Sequence, residues 1–221
     1  MQKFDTPAPI SALVEIPAGR VQFIAGDRTD TTVEVLPTAP ARRRDVEAAA
    51  QTSVTCTDGV LRITAPAPGN QLLGPSGSLE VTVRLPAGSR VEGESAGVEL
   101  RCVGRLGDID FEGAYRRVKI DEAGGVRLTA IDGAVEIGRL NGRAEISTAR
   151  GDIRITEARR GTVRLHTGSG DITVGAAAGV SAALDAAAGH GRVSNALKND
   201  GTTELDIRAT SGKGDITARS L

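Results

Sequence analysis

From about Gly97 to the C-terminus, apolar and polar residues alternate in short bursts, and a glycine opens each burst. Gly107-Asp-Ile-Asp-Phe, Gly133-Ala-Val-Glu-Ile, Gly142-Arg-Ala-Glu-Ile and Gly151-Asp-Ile-Arg-Ile are clear copies. Gly161-Thr-Val-Arg-Leu, Gly170-Asp-Ile-Thr-Val and Gly214-Asp-Ile-Thr-Ala continue the series. Each places core-type residues two and four positions after the glycine, the period of a strand with one buried face. Units opening at Gly97, Gly125 and Gly179 shift by one residue, as in Val126, Leu128 and Ala130, which demands a compensating change at the preceding corner. From Gly133 to Gly179 neighbouring units lie within eight to ten residues of each other, about five for a strand and four for a corner. This repeat predicts an all-β, β-solenoid or β-helix-like stack of short strands with glycine corners. Two inward aliphatics, at ~1.5–3 kcal/mol each, do not offset ~1–2 kcal/mol of backbone entropy for every residue fixed. Stacking must supply the rest, in roughly six or seven coils of two units. The spacing leaves open whether a coil has two or three faces.

The first half is less regular. Strands are expected at Ala12–Ile16, Val21–Ala25, Thr31–Leu36, Ser53–Thr57 and Gly59–Ala65. Residues 41–51 (ARRRDVEAAAQ) read as one short helix, with Val46 and nearby alanines packing inward. Asp58-Gly59 suits a tight turn with positive φ, and Pro66–Ser78 suits a long loop. Val14-Glu-Ile-Pro-Ala-Gly19 echoes Val83-Arg-Leu-Pro-Ala-Gly88, each a strand that proline ends because it cannot donate to a ladder. The expected organisation is therefore a single elongated β domain over 1–221. Irregular strands over 1–96 would continue into a repeat region over 97–221.

Composition sharpens this picture. Aromatics are 2% of residues, with no Trp, so Val, Ile, Leu and Ala must build the core, and 28 glycines are enough for many corners. A net charge of −1 argues against general attraction to nucleic acid or anionic lipid. No run of about 20 apolar residues is present, so direct membrane insertion is not expected. The N-terminal stretch lacks the apolar segment of a signal peptide, so with Met1 as the native start the expected compartment is the cytoplasm. Cys56 and Cys102 each lie in a strand-like stretch and read as buried free thiols, since two ligands do not make a zinc site; the alternative is a pair.

Candidate chemistry is sparse. The outward position three after each glycine gives Glu136, Glu145, Arg154, Arg164 and Thr173, either a recognition strip or cross-strand ion pairs on a solvated face. Asp108, Asp152, Asp171 and Asp215 follow corner glycines and suit hydrogen bonds to the turn backbone, because the denser calcium-binding nonapeptide is absent. His166-Thr-Gly-Ser-Gly-Asp171 lies within one strand and its corner, without a nucleophile elbow, and His190 sits in another corner. Gly74-Pro-Ser-Gly-Ser78 and Gly168-Ser-Gly170 lack the lysine of a phosphate loop and read as turns, and Arg42-Arg-Arg44 is too short for a basic patch. No catalytic residue, cofactor or metal site is expected.

The Gly-Asp-Ile-x-Ile/Val units, with Val-x-Ile/Leu-Pro-Ala-Gly, resemble the bacterial β-strand-repeat family that carries the adhesin label, the toastrack domain of unknown function. Gly214-Asp-Ile-Thr-Ala-Arg-Ser-Leu221 and the opening Phe4-Asp-Thr-Pro resemble its cytoplasmic-looking actinobacterial members. The resemblance implies a right-handed-type β-solenoid of unestablished biochemical role and carries over no catalytic residues, in a family often attached to membrane segments or linked to envelope-stress modules. The expected function is a non-enzymatic interaction or assembly protein, working through a flat strand face or an open stack end. The final unit, Gly214–Ala218, is expected to be an uncovered terminal coil that favours end-to-end pairing. A protein partner or self-association is therefore expected. A carbohydrate-binding or carbohydrate-active solenoid, and a bactofilin-like filament former, are the alternatives. A hexapeptide acyltransferase fits less well, because the period is near nine.

Overall fold

The computed structural model describes residues 1–66 and 77–221, which form 18 strands and one helix. Most of the loop expected over Pro66–Ser78, and most of Gly74–Ser78, lie outside the described residues. The chain divides into two compact units, Met1–Ala114 and Tyr115–Leu221.

The second unit shows the repeat most plainly. Its strands are the end of β9 (Asp108–Ala123), β10 (Gly125–Leu140), β11 (Ala144–Thr148), β12 (Ile153–Ala158), β13 (Gly161–Thr167) and β14 (Ile172–Ala176). Four more follow: β15 (Ala182–His190), β16 (Val193–Ala196), β17 (Leu205–Lys213) and β18 (Ile216–Ser220). Val126 lies over Ala144 and Ala144 over Val163, so one coil takes 18 or 19 residues, two of the nine-residue units. Each coil gives one strand to each of two parallel stacks, which answers the question of faces. One stack runs β10, β11, β13, β17, β15, and the other runs β10, β12, β14, β18, β16.

That order departs from the chain. β17 pairs with both β13 and β15, and β18 with both β14 and β16, so the last coil in sequence is inserted between the two that precede it. The expectation of an uncovered final unit at Gly214–Ala218 is thus overturned. Ile216 and Ala218 are buried, and β15–β16 occupies the outer position instead. The physical reason lies in side-chain size. Leu205, Ile207 and Ile216 need an aliphatic layer on both sides, whereas the alanine-rich β15 leaves less apolar surface exposed when it is outermost.

The first unit repeats the scheme. β2 (Ser11–Ile16) lies between β6 (Val60–Thr64) and the start of β8 (Arg90–Arg105). β3 (Gly19–Gly26) lies between β7 (Leu79–Pro86) and the later part of β8. The first complete coil in sequence is therefore also interior. Outer strands here run antiparallel: β4 (Asp30–Pro37) on β7, β1 (Gln2–Asp5) on β4, and β5 (Ser53–Thr57) on β6. The β5–β6 turn has φ of 51° at Asp58 and 73° at Gly59, as the dipeptide predicts. β1 has no counterpart among the strands expected from sequence. The Pro-Ala-Gly echo is local only, since β2 and β7 belong to different stacks.

Helix α1 (Arg43–Gln51) forms where the sequence places it, but its inward face differs. Val46 is 42% exposed, while Asp45 and Ala48 are buried, so the expected inward Val46 is corrected. Asp45 takes that side because its carboxylate accepts from the backbone N–H groups of Ala39 (3.2 Å) and Ser78 (3.0 Å), tying the helix to both flanking segments. The seven regular glycine-led units behave as their pattern requires: both inward residues of each, from Ile109 and Phe111 to Ile216 and Ala218, are buried.

Candidate functional site

The corners of the second unit are held by two side-chain ladders and a column of close-packed glycines. Asp152 Oδ1 accepts from the Asp171 N–H at 2.8 Å, Asp171 Oδ1 from Asp215 at 2.7 Å, and Asp215 Oδ1 from Arg192 at 2.8 Å. Thr167 Oγ1 donates to the Gly151 carbonyl and Ser211 Oγ to that of Gly170, both at 2.9 Å. Gly151 and Gly214 adopt φ of 132° and 142°, and a Cβ at either would overlap the carbonyl of the corner glycine on the adjacent coil, Gly133 and Gly170 respectively. Three of the four candidate aspartates are therefore corner fasteners, and they link in stack order. Asp108, the fourth, opens β9 and is exposed.

The proposed charged strip separates into two columns. Glu145 and Arg164 stand in register on β11 and β13, flanked by Arg127 and Arg208. Glu136, Arg154 and Thr173 stand in register on β10, β12 and β14. Arg117 meets Glu136 at 3.4 Å, Arg139 meets both Glu122 and Glu157 at 3.4 Å, and Arg150 meets Asp132 at 3.1 Å. These pairs answer one another along the stack; Arg117–Glu136 and Arg150–Asp132 are exposed, a class of pair worth at most ~1 kcal/mol, and the Arg139 pairs are half-buried.

His166 points outward from β13, in register with Ser147 and Thr210, and His190 lies at the end of β15 in register with Lys213. Gly168-Ser-Gly170 lies at the corner between β13 and β14. Among the described residues, no group of three or more His, Cys, Asp or Glu is placed to hold a metal ion. Neither Cys56 nor Cys102 forms a disulfide. Cys102 is buried on β8, and burial pushes the half-buried Cys56 thiol above its ordinary pKa, the opposite of what activates a thiol nucleophile.

Three features escape the sequence pattern. A groove of about 470 Å³ in the first unit is lined by Lys3, Phe4, Ile10, Cys56 and Asp58, among others. A shallower one of about 230 Å³ gathers Glu15, Glu92, Glu94, Asp110 and Glu112 from β2, β8 and β9. Glu15 and Glu94 are direct cross-strand neighbours; only the register brings these carboxylates together. The third is the open edge of β15, whose local signal is the run Ala182-Ala-Leu-Asp-Ala-Ala-Ala188 with one charge.

Coils of two short parallel strands, stacked in register and turned at glycines, define a β-solenoid-type repeat protein. The chain belongs to the Toastrack DUF4097 family, whose model matches residues 14–220. No curated protein matches it. Among solved structures, a candidate adhesin from Bacteroides fragilis is similar at 14% identity with a TM-score of 0.50, covering 98% of this chain and 95% of that one. A candidate lipid-binding protein from Parabacteroides distasonis gives 12% identity and a TM-score of 0.48 over the same shares. A candidate cell adhesion protein from Clostridium sporogenes gives 12% and 0.40, covering 100% and 98%. At 14% identity the likeness to the Bacteroides fragilis protein speaks for the fold alone.

Proposed function

We propose that this protein is a non-enzymatic interaction or assembly module, an adhesin-like scaffold that works through strand edges and outward strand faces. The observation that carries the reading is the open edge of β15, whose strand ladder is formed with β17 on one side only. Three of the corner aspartates are taken up as fasteners, and Glu136 on an outward column pairs with Arg117. The cytoplasmic placement expected from the N-terminal sequence belongs to the same proposal, and cell fractionation tests it.

Photo-crosslinking in the native cell tests the function, with the reactive residue at Ala187 on β15, at Arg164 on an outward face, or at Arg43 on the helix as a control. Discrete adducts at the first two positions, absent at the third, support the reading. Turnover of a glycan or another small substrate by the purified chain, with no adduct at any position, overturns it. The acidic groove supports a second reading, carbohydrate binding, because it sets carboxylates on adjacent coils of one face. Glycan binding that Glu94→Gln abolishes would favour that reading. A filament former needs open parallel edges to propagate, and the antiparallel outer strands β1 and β5 weigh against it.

A further inference from the structure

In every inner coil of the second unit the inward column is sealed. Val126, Ala144, Val163 and Ile207 are all buried, but Leu184, next in the same column, is only partly covered. Ala209 is buried under Ala186, which is itself partly covered, and Val193 on β16 is 47% exposed. The outermost coil thus ends the stack with its aliphatic interior incompletely closed.

The backbone of that coil is incomplete in the same direction. The Ser181 carbonyl accepts from Glu204 (2.9 Å) and Leu205 (3.2 Å) on the β17 side. The Ala182 N–H points the other way, to the Lys198 carbonyl at 2.9 Å. Alternation along the strand then turns the N–H and C=O groups of Leu184, Ala186 and Ala188 to the open edge. This edge lacks the usual guards. Between Ala182 and Gly189 there is no Lys, Arg or Pro, and Asp185 is the single charged residue.

We infer that this edge binds a second copy of the same chain, β15 to β15 in antiparallel register about a two-fold axis at Ala186. A two-fold axis requires antiparallel pairing, because each strand must present the same patch to the other. Centring it on Ala186 uses all three free residues of both copies: Leu184 faces the partner's Ala188, and Ala186 faces the partner's Ala186. The large and small side chains then alternate across the dyad and close the exposed column. Asp185 stands opposite the partner's Ala187. Centring the axis on residue 185 would oppose the two Asp185 carboxylates directly, which like-charge repulsion disfavours. Self-complementarity of size, charge and hydrogen-bonding phase is what selects a second copy as the occupant.

The inference rests on the interaction-module reading and names its partner. Sedimentation of the full chain should show a concentration-dependent monomer–dimer equilibrium. Ala186→Pro removes an N–H that the internal ladder does not use and should raise the dissociation constant about ten-fold or more. Register is read by mixing two variants in a Cys56→Ser background, one Asp185→Cys and the other Ala187→Cys. Those positions form a directly opposed pair with Cα atoms about 4.5 Å apart, within disulfide reach. The mixed disulfide should form at least about ten-fold faster than either homodimer. A strict monomer at millimolar concentration, or mixed cross-linking no faster than the homodimers, overturns the inference. Should Ala186→Pro fail to fold, the cysteine pair decides alone. A monomer that still gives discrete heterologous adducts at Ala187 sinks the second copy but leaves the interaction module standing.

Discussion

Replacing Gly214 by alanine puts a methyl group where the corner column has no room. The position has φ of 142° and belongs to the inserted coil, where its Cβ would overlap the Gly170 carbonyl. Holding alanine at such a φ costs about 1–3 kcal/mol. Relieving the overlap forces the adjacent coils apart at the corner, where Gly170 N–H donates to Lys213 (2.8 Å) and Gly214 N–H to His190 (2.9 Å). Loosening two such bonds costs about 1–3 kcal/mol in addition. Gly201→Ala is the matched control: its φ is 102°, but nothing lies within 4 Å of the added Cβ. Urea unfolding followed by far-ultraviolet circular dichroism should place Gly214→Ala about 1–3 kcal/mol below Gly201→Ala, with the slope unchanged. Equal losses, within about 0.5 kcal/mol, would refute coil contact at this corner and leave only backbone strain.

Other expectations follow from the ladders and columns. Asp171→Ala should cost about 0.5–1.5 kcal/mol in the same assay, whereas Asp171→Asn, which keeps an acceptor for the Asp215 N–H, should recover most of it; equal losses would contradict the ladder. Glu94→Gln relieves its in-register repulsion with Glu15 and should stabilise by about 0.2–1 kcal/mol, a gain that 1 M salt erases. The hydrogen bond from Arg159, with the nearby charge of Arg139, holds the Glu157 carboxyl below the usual carboxylate range despite partial burial. A depressed folded value means its contribution is present above the unfolded pKa of about 4.3 and fades as pH falls through the lower folded value. Stability curves of the parent and Glu157→Gln should therefore converge with acidification below about pH 4.3, and parallel curves would refute the assignment.

Much of the architecture was legible because the side-chain period and the glycine spacing are strictly local signals. Ile153 and Ile155 announce their burial by standing two and four residues after Gly151, and Asp58-Gly59 announces its turn through backbone preference alone. Coil order is a different kind of information. Nothing in Gly214-Asp-Ile-Thr-Ala distinguishes an inner rung from an outer one, because the units are near-equivalent and stacking is decided by non-local pairing. Only the contrast between Leu205/Ile207 and the alanines of β15 hints at which coil tolerates the outside. Val46 failed for a related reason. A helix of nine residues turns whichever face its strongest anchor dictates, and the buried Asp45 carboxylate, bonded to two backbone N–H groups, outweighs one valine. The acidic groove was likewise hidden, since Glu15, Glu94 and Glu112 are far apart in sequence and meet only through register.

Residue-resolved amide hydrogen exchange, at a concentration low enough to leave the β15 edge unpaired, bears most directly on the inserted coil. The amides of Ile172, Leu205 and Ile216, each bonded across neighbouring coils, should exchange slowly, while those of Leu184 and Ala186 exchange at least about a hundred-fold faster. Fast exchange throughout Leu205–Ser220, with slow exchange at Leu184 and Ala186, would place the final strands outermost and contradict the stacking order.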